Sequence, residues 1–369
     1  MSNDHHRVAI FLPSLEGGGA ERAMSRLAAE FANRRISVDL VLARKIGPYL
    51  QQVPATIRIV NLDSRRVIAS VPRLVRYLRN EKPACLISAL SHANVVAIFS
   101  HLLATSPAKL IVSERAPPFQ AQSNAKLLRD RLLPFLIGKL YKYADHVIAV
   151  SHGVANQLAL LGVPRNKIAV IYNPVVDNAL LDSAKEDVDH PWFVPHAPPV
   201  IVAAGRLAKE KDFQTLIRAF SLVRKTRQVR LIILGEGENR TELHNLTQEL
   251  GVADDVSLPG FVENPYKYMK RARAFTLSSL FEGFPNVLVE AMACGAPIIS
   301  TDCPGGSAEI LENGRWGRLT AVGDAVTLAN SIREVLDAAS HPDVESRAAL
   351  FSIEKMTDQY LKVIAGLDL

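Results

Sequence analysis

Val200-Ile-Val-Ala-Ala-Gly-Arg-Leu-Ala-Lys-Glu-Lys-Asp-Phe-Gln-Thr-Leu-Ile-Arg-Ala-Phe-Ser-Leu-Val223 decides the fold. Its first five residues form a short, uninterrupted apolar run of the kind that becomes a strand covered on both faces. Gly205 to Lys211 is a charged loop. Asp212 can then cap a helix, because its short carboxylate reaches the free amides of a first turn. Phe213, Leu216, Ile217, Phe220 and Val223 recur at helical spacing and fall on one face. Strand, loop and one-sided helix in that order are the repeating unit of a parallel sheet wound with helices.

The same unit recurs on either side. Downstream, strands are expected at Arg230–Leu234, Val256–Leu258, Ala274–Leu277, Ile298–Ser300 and Gly317–Thr320. Asn239 and Glu242 have capping-box spacing for a helix running to Leu250. Upstream, strands are expected at Arg7–Leu12, Val38–Leu42, Ile57–Leu62, Cys85–Ala89, Leu110–Ser113, His146–Val150 and Ala169–Tyr172, with helices such as Ala20–Asn33 and Val71–Arg79 between them. Asn173–Pro199 changes character: five prolines and scattered acids mark a linker. The fold class is therefore α/β, with two Rossmann-like doubly wound domains. Residues 1–175 form the first, 176–199 link, 200–345 form the second, and 346–369 close the chain as a helix with no strand after it. The halves share architecture without a sequence repeat.

A chain of 369 residues is too long for one ordinary core. Its 48% hydrophobic and 22% charged residues are those of a folded globular protein. No apolar run approaches the ~18 residues of a membrane span; Ala93–Ala104 and Leu132–Ile137 are too short or broken by charge. Met1–Arg7 leads into a strand without a secretory apolar stretch. Cys85, Cys294 and Cys303 cannot all pair and lack metal spacing, so buried thiols in a reducing compartment are expected. The net charge of +6 is uneven: residues 1–175 carry 23 Lys/Arg and 10 Asp/Glu, residues 176–369 carry 20 and 27. A basic half fits an anionic surface, whether phospholipid, a lipid diphosphate or nucleic acid, and an ordinary solvated surface would account for it as well. Few aromatics and no nucleic-acid motif count against the last of the three.

Several loops follow strands. Leu12 to Arg22 contains Gly17, Gly18 and Gly19 and opens a helix. It is neither a Walker loop nor a dinucleotide fingerprint, and it reads as a phosphate or acceptor contact or as a flexible turn. In Gly205 to Lys211, Arg206 offers a planar fork and Lys211 a point charge, a pair suited to a diphosphate; a solvated charged loop is the alternative. Gly235-Glu-Gly237 reads as a tight turn or a ligand contact. Glu282-Gly-Phe-Pro-Asn-Val-Leu-Val-Glu290 sets two carboxylates eight residues apart, one in a Gly/Pro loop and one about a turn into a helix that starts near Pro285 and stops at Gly295. Free amides between them can meet phosphate while the carboxylates meet hydroxyls. A loop charge and a helix-dipole partner would be the plain reading of the same pair.

In these segments the chain resembles retaining glycosyltransferases of family 4, of the bacterial polysaccharide and lipid-linked glycan type. The resemblance rests on Gly17-Gly-Gly-Ala-Glu-Arg22, Val150-Ser-His-Gly153, Val170-Ile-Tyr-Asn-Pro174, Gly205-Arg-Leu with Lys211, Leu234-Gly-Glu-Gly237, Leu258-Pro-Gly-Phe-Val262 and the long Glu282–Pro297 segment, in that order and nearly end to end. It implies the GT-B architecture, two Rossmann-like domains facing a central cleft, with the first on the acceptor side, the second binding the donor, and the closing helix crossing back to the first. It implies that Arg206 and Lys211 hold the donor diphosphate, Glu290 the ribose and Glu282 the transferred sugar. Gly283, Phe284, Pro285 and Asn286 lend the loop that grips sugar and phosphate, backbone near Phe261 and Val262 reads the base, and Gly18 and Gly19 approach the phosphate. Where many relatives carry a histidine near the sugar, this chain has Ile111-Val-Ser-Glu114-Arg115. His92 is a possible substitute or a structural histidine, and Glu114 and Arg115 resemble acceptor-side residues of relatives acting on lipid-linked sugars.

The expected activity is transfer of a sugar, with retention and without a metal, from a nucleoside diphosphate sugar to a glycan or lipid-linked acceptor in cell-surface polysaccharide synthesis. No cofactor is expected beyond the donor, with UDP in preference to GDP. Ala125 to Tyr143 is basic and apolar at roughly helical spacing, interrupted by Pro134. It fits either a core helix or peripheral contact with an anionic membrane from the cytoplasmic side. A sugar-nucleotide epimerase of the same fold and a non-catalytic sugar-nucleotide-binding partner remain alternatives.

Overall fold

The structure, a computed structural model, describes residues 7–16, 18–119 and 128–366, with side chains omitted at 128–131. The readings made for residues 1–6, Gly17, Ala125–Leu127 and the last three residues of the closing helix lie outside the described residues. The chain divides into two compact units, Met1–Pro174 with Ile353–Leu369, and Val175–Ser352.

In the first unit, β1 (Val8–Leu12), β2 (Val38–Leu42), β3 (Arg58–Asn61), β4 (Cys85–Ala89), β5 (Lys109–Glu114), β6 (His146–Ala149) and β7 (Ile168–Val170) form one sheet in the order β3-β2-β1-β4-β5-β6-β7. Every pairing is parallel; Val8 aligns with Val38 on one side and Cys85 on the other. Its helices are α1 (Gly19–Asn33), α2 (Val71–Glu81), α3 (Ser91–Ala104), α4 (Leu128–Leu140) and α5 (His152–Leu160). The second unit holds β8 (Val200–Ala204), β9 (Arg230–Leu234), β10 (Val256–Gly260), β11 (Ala274–Leu277), β12 (Ile298–Thr301) and β13 (Arg318–Thr320), in the order β10-β9-β8-β11-β12-β13. Its helices are α6 (Asn178–Ser183), α7 (Phe213–Arg224), α8 (Arg240–Glu249), α9 (Tyr266–Arg271), α10 (Asn286–Ala293), α11 (Ser307–Ile310), α12 (Ala325–Asp337) and α13 (Val344–Ala348). The last helix, α14 (Ile353–Ala365), belongs to the first unit.

Strand order reverses between β1 and β4 in one unit and between β8 and β11 in the other. In open parallel sheets that reversal leaves a crevice at the carboxyl ends of the strands, where ligands bind.

Local chemistry explains the elements. Asp212 caps α7 by accepting from the Thr215 amide at 3.3 Å. Phe213, Leu216, Ile217, Phe220 and Val223 are all buried, packed on Ile201, Ala203, Leu231 and Ile233 of the sheet. Met24, Leu27 and Phe31 of α1 join Met356, Tyr360 and Val363 of α14 over Ile10, Leu12 and Ile87. Ser151 in the Ser-His-Gly segment caps α5 through the Val154 amide at 3.1 Å. The three cysteines are free and buried, and burial pushes the Cys85 thiol up to about 12.

Four features differ from the sequence reading. The capping box of α8 does not form: Asn239 has near-helical backbone and makes no side-chain cap, while its amide donates to Leu207 O and Glu242 accepts from Gln214 at 2.7 Å. Helix α4 runs through Pro134 rather than stopping there. Residues 176–199 cluster with the second unit: α6 lies within them, and Asn264 donates to Ser183 O at 2.8 Å and to Glu186 at 2.9 Å. The closing segment is broken, because Phe351 O accepts from both Val175 N and Val176 N and Ser352 bridges Val176 in extended form, so α14 starts only at Ile353. Among the described residues no helix is long and apolar enough to cross a membrane.

Candidate functional site

In the second unit the loops after β8 and β11 flank the point where strand order reverses. The first carries Arg206 and ends in a 3₁₀ turn, Lys209–Lys211; the second carries Ser278 to Glu282. Backbone joins them: Leu280 N donates to Glu210 O at 2.8 Å, and Ser278 Oγ to Lys211 O at 2.8 Å. Lys211 Nζ donates to Glu282 Oε1 at 2.5 Å, with both side chains less than one-fifth exposed (18% and 13%). Ser279 Oγ donates to the same oxygen at 2.7 Å. Arg206 is ion-paired with Glu210, its side chain 72% exposed in the loop after β8. Burial works against ionised Glu210, but the Arg206 hydrogen bond and charge hold its carboxyl below the usual range.

The glycines of these loops serve close backbone packing. A Cβ on Gly235 would lie 2.0 Å from Gly205 O, so the β9 loop is pressed against the loop bearing Arg206. Gly305, after β12, has φ +132°, and a Cβ there would lie 1.6 Å from Glu282 O. The Glu282 amide in turn donates to Pro304 O at 3.0 Å. The Asp302–Gly306 loop thus holds the backbone of Glu282.

Pro285 stands at the cap of α10, the helix begins at Asn286, and Gly295 ends it with φ +77°. Glu290 lies in its second turn, 2% exposed. Phe284 is buried against Phe351, ring centroids 5.6 Å apart, so this side chain wedges the loop in place. Beyond β10, Phe261 is 73% exposed, and Val262 lines an open cleft of about 480 Å³ with Glu186, Glu263, Asn264 and Tyr266.

In the first unit, Gly18 caps α1, Gly19 opens it, and His92 stands exposed on the first turn of α3; their loops follow β1 and β4, the strands flanking that unit's reversal. The α1 terminus already has a carboxylate: Glu21 folds back over Gly18, where a Cβ would lie 2.0 Å from its Oε2. Burial raises the Glu21 pKa.

Glu114 and Arg115, expected on the acceptor side, are both buried. Glu114 accepts from Ser91 Oγ and Tyr141 OH, each at 2.7 Å, and so ties β5 to α3 and to the turn after α4. Burial is the main cause of its raised pKa. Arg115 points to the other face of the sheet, donating to Asn173 and to Tyr360 OH at 2.9 Å, and so holds α14. Among the described residues no group of three or more His, Cys, Asp or Glu side chains is placed to hold a metal ion. The sequence reading missed Ser278, Ser279 and Gly305. Only Gly305-Gly306 had a visible signal, adjacent glycines after a strand.

Two Rossmann-like units, one with a lysine–glutamate pair at its strand reversal, define a GT-B glycosyltransferase class, and comparison with known proteins agrees. Residues 17–178 match the model of Glycosyltransferase Family 4 and residues 185–350 that of Glycosyl transferases group 1. The chain belongs to the family 4 glycosyltransferases. It is 28% identical to the N-acetylgalactosamine-N,N'-diacetylbacillosaminyl-diphospho-undecaprenol 4-alpha-N-acetylgalactosaminyltransferase of Campylobacter jejuni, over 98% of this chain and 100% of that one. It is also 28% identical to the lipopolysaccharide core biosynthesis glycosyltransferase LpsE of Rhizobium meliloti, over 95% and 96%. Among solved structures, sucrose-phosphate synthase of Thermosynechococcus elongatus superposes with a TM-score of 0.83 at 20% identity, covering 98% of this chain and 99% of that one. Anabaena HepE in complex with UDP and glucose superposes with a TM-score of 0.79 at 21% identity, covering 98% and 100%.

Proposed function

We propose that this glycosyltransferase moves a sugar from a nucleoside diphosphate sugar, UDP in preference to GDP, to a glycan or lipid-linked acceptor of the cell surface, with anomeric configuration retained. The observation that carries the reading is the Lys211–Glu282 pair at the strand reversal of the second unit, with Arg206 exposed beside it. Lys211 and Arg206 meet the diphosphate. As the bond from the anomeric carbon to phosphate oxygen breaks, the departing diphosphate gains charge, and fixed cations in a sheltered site favour that charge most. Glu282 holds the sugar hydroxyls and Glu290 the ribose. The amides from Gly283 to Asn286 add donors at the start of α10. Phe261 and Val262 flank the base. The anomeric carbon then bonds the acceptor hydroxyl oxygen on the face the diphosphate left, and the hydroxyl proton is released. The HepE complex with UDP and the undecaprenol-linked substrate named for the Campylobacter relative support the donor and acceptor classes.

Contact with an anionic membrane from the cytoplasmic side fits the surface of α3 and α4. Phe99, Leu102 and Leu103 are exposed on α3, and Leu132 and Phe135 on α4, with Lys139 over the Phe135 ring and Lys142 over that of Tyr143. Apolar side chains beside lysines suit a headgroup boundary.

The test is a panel of nucleoside diphosphate sugars supplied with membrane extract, read by released nucleoside diphosphate, with Lys211→Ala as the control. Release from one donor that depends on the extract and is lost in the variant is expected. No release from any donor, or equal release by Lys211→Ala, overturns the reading.

A further inference from the structure

We propose that Ser279 is a positioning residue for sugar transfer, holding Glu282 by Oε1 so that its second carboxylate oxygen is presented to the transferred sugar. The inference rests on the proposed function and assigns a part to a residue outside the Glu282–Glu290 segment. Two donors converge on Oε1, Ser279 Oγ at 2.7 Å and Lys211 Nζ at 2.5 Å. They are not equivalent. Lys211 also has to serve the diphosphate, and its ammonium turns toward that charge when the donor enters. Ser279 has no such second task, so its hydrogen bond is the one that remains.

The serine is itself immobile. It is fully buried, its carbonyl accepts from Thr301 Oγ1 at 2.7 Å, and its neighbours Ser278 and Leu280 are tied to the 3₁₀ turn by one hydrogen bond each. The Glu282 backbone is fixed separately by the Pro304–Gly305 loop. Backbone and carboxylate are thus held from two strands, β12 and β11. The carboxylate's rotation about its last torsion, broad in an unrestrained glutamate, is what the Ser279 hydroxyl restricts. A carboxylate accepts at both oxygens, so occupying one leaves the other for sugar hydroxyls.

The test uses the full chain as wild type, Ser279→Ala and Ser279→Cys, with the donor and extract that support wild-type transfer. Cysteine keeps the shape of serine but donates weakly. Ser279→Ala is expected to lower kcat by roughly 10- to 100-fold, the scale of an ångström-level misplacement. The Kd for nucleoside diphosphate, measured by calorimetry, is expected to stay within about twofold, because that ligand carries no sugar for Glu282 to hold. Ser279→Cys is expected between the two. The proposal is overturned if Ser279→Ala keeps wild-type kcat, if Ser279→Cys equals wild type while alanine does not, or if nucleoside diphosphate binding falls in step with kcat in both variants. A wild type without transfer overturns the proposed function and this inference together. Transfer that is lost in Lys211→Ala but intact in Ser279→Ala overturns this inference alone.

Discussion

Replacing Lys211 by methionine isolates its charge. The aliphatic stem, which would lie about 3.4 Å from a Cβ on Gly205, is largely kept, so packing changes little. What goes is a hydrogen bond of 2.5 Å between side chains 18% and 13% exposed. A charge-assisted bond is worth about 1.5–3 kcal/mol, and Ser279 still holds Glu282, so the loss of stability is about 1–2 kcal/mol. For a unit of this size that lowers the melting midpoint by roughly 2–8 °C. On the proposed function the effect on transfer is larger, because the same cation would face the charge that builds on the departing diphosphate. A drop in kcat/KM of about 10²- to 10³-fold, or 2.7–4 kcal/mol, is expected from removing one such group. Adding Glu282→Gln makes the pair neutral and restores most of the melting midpoint but none of the transfer. The assays are released nucleoside diphosphate against donor concentration and a thermal melt of each variant. If Lys211→Met melts lower yet transfers at near wild-type kcat/KM, the lysine is structural and its place at the diphosphate is refuted.

Gly305→Ala meets Glu282 O at 1.6 Å with φ +132°, so it is expected to lower both the melting midpoint and kcat; a soluble variant with unchanged kinetics would contradict the close packing. Glu114→Gln reports on a buried carboxyl whose folded pKa is raised, chiefly by burial. The stability such a group contributes is full below its unfolded value near 4.5 and is lost as pH rises through the folded value. The melting difference between wild type and Glu114→Gln should therefore turn against wild type as pH rises from about 4.5 toward neutrality, and a constant difference would refute the assignment. Lys139→Glu with Lys142→Glu is expected to weaken flotation with anionic liposomes by ~1 kcal/mol or more per lysine, and Leu132→Ser with Phe135→Ser to weaken it with neutral ones too. Flotation unaffected by either pair removes the membrane reading of α3 and α4.

The central strands were legible because parallel sheets bury both faces, and runs such as Val8–Leu12 and Val200–Ala204 are apolar end to end. The Asp212 cap was legible because its chemistry is local, fixed by Thr215 three residues on. The same spacing misled at Asn239, where the amide was claimed by Leu207 from another loop, a contact no local pattern records. Lys211 and Glu282 were legible as residue types suited to a sugar diphosphate, and their adjacency follows from strand order. Ser279 was not, because a serine at a strand end has no signature until its partner's direction is known. Glu114 and Arg115 were read only through their resemblance to acceptor-side residues; the neighbours supplied by α3, the turn after α4 and α14 explain why charged groups lie buried at the end of β5.

The return of α14 to the first unit sets an order for biosynthesis. The face of the sheet under Met24, Leu27 and Phe31 is completed by Met356, Tyr360 and Val363, which are translated after the whole of the second unit. At ~5–20 residues per second, the first unit waits roughly 10–40 s with that apolar face uncovered. The second unit is thus the first to be complete on the ribosome, and the first unit depends on the last helix made. A stop codon shortly after Ser352 would leave the Lys211–Glu282 site encoded in full and the other unit without its final layer, a nascent chain prone to aggregation.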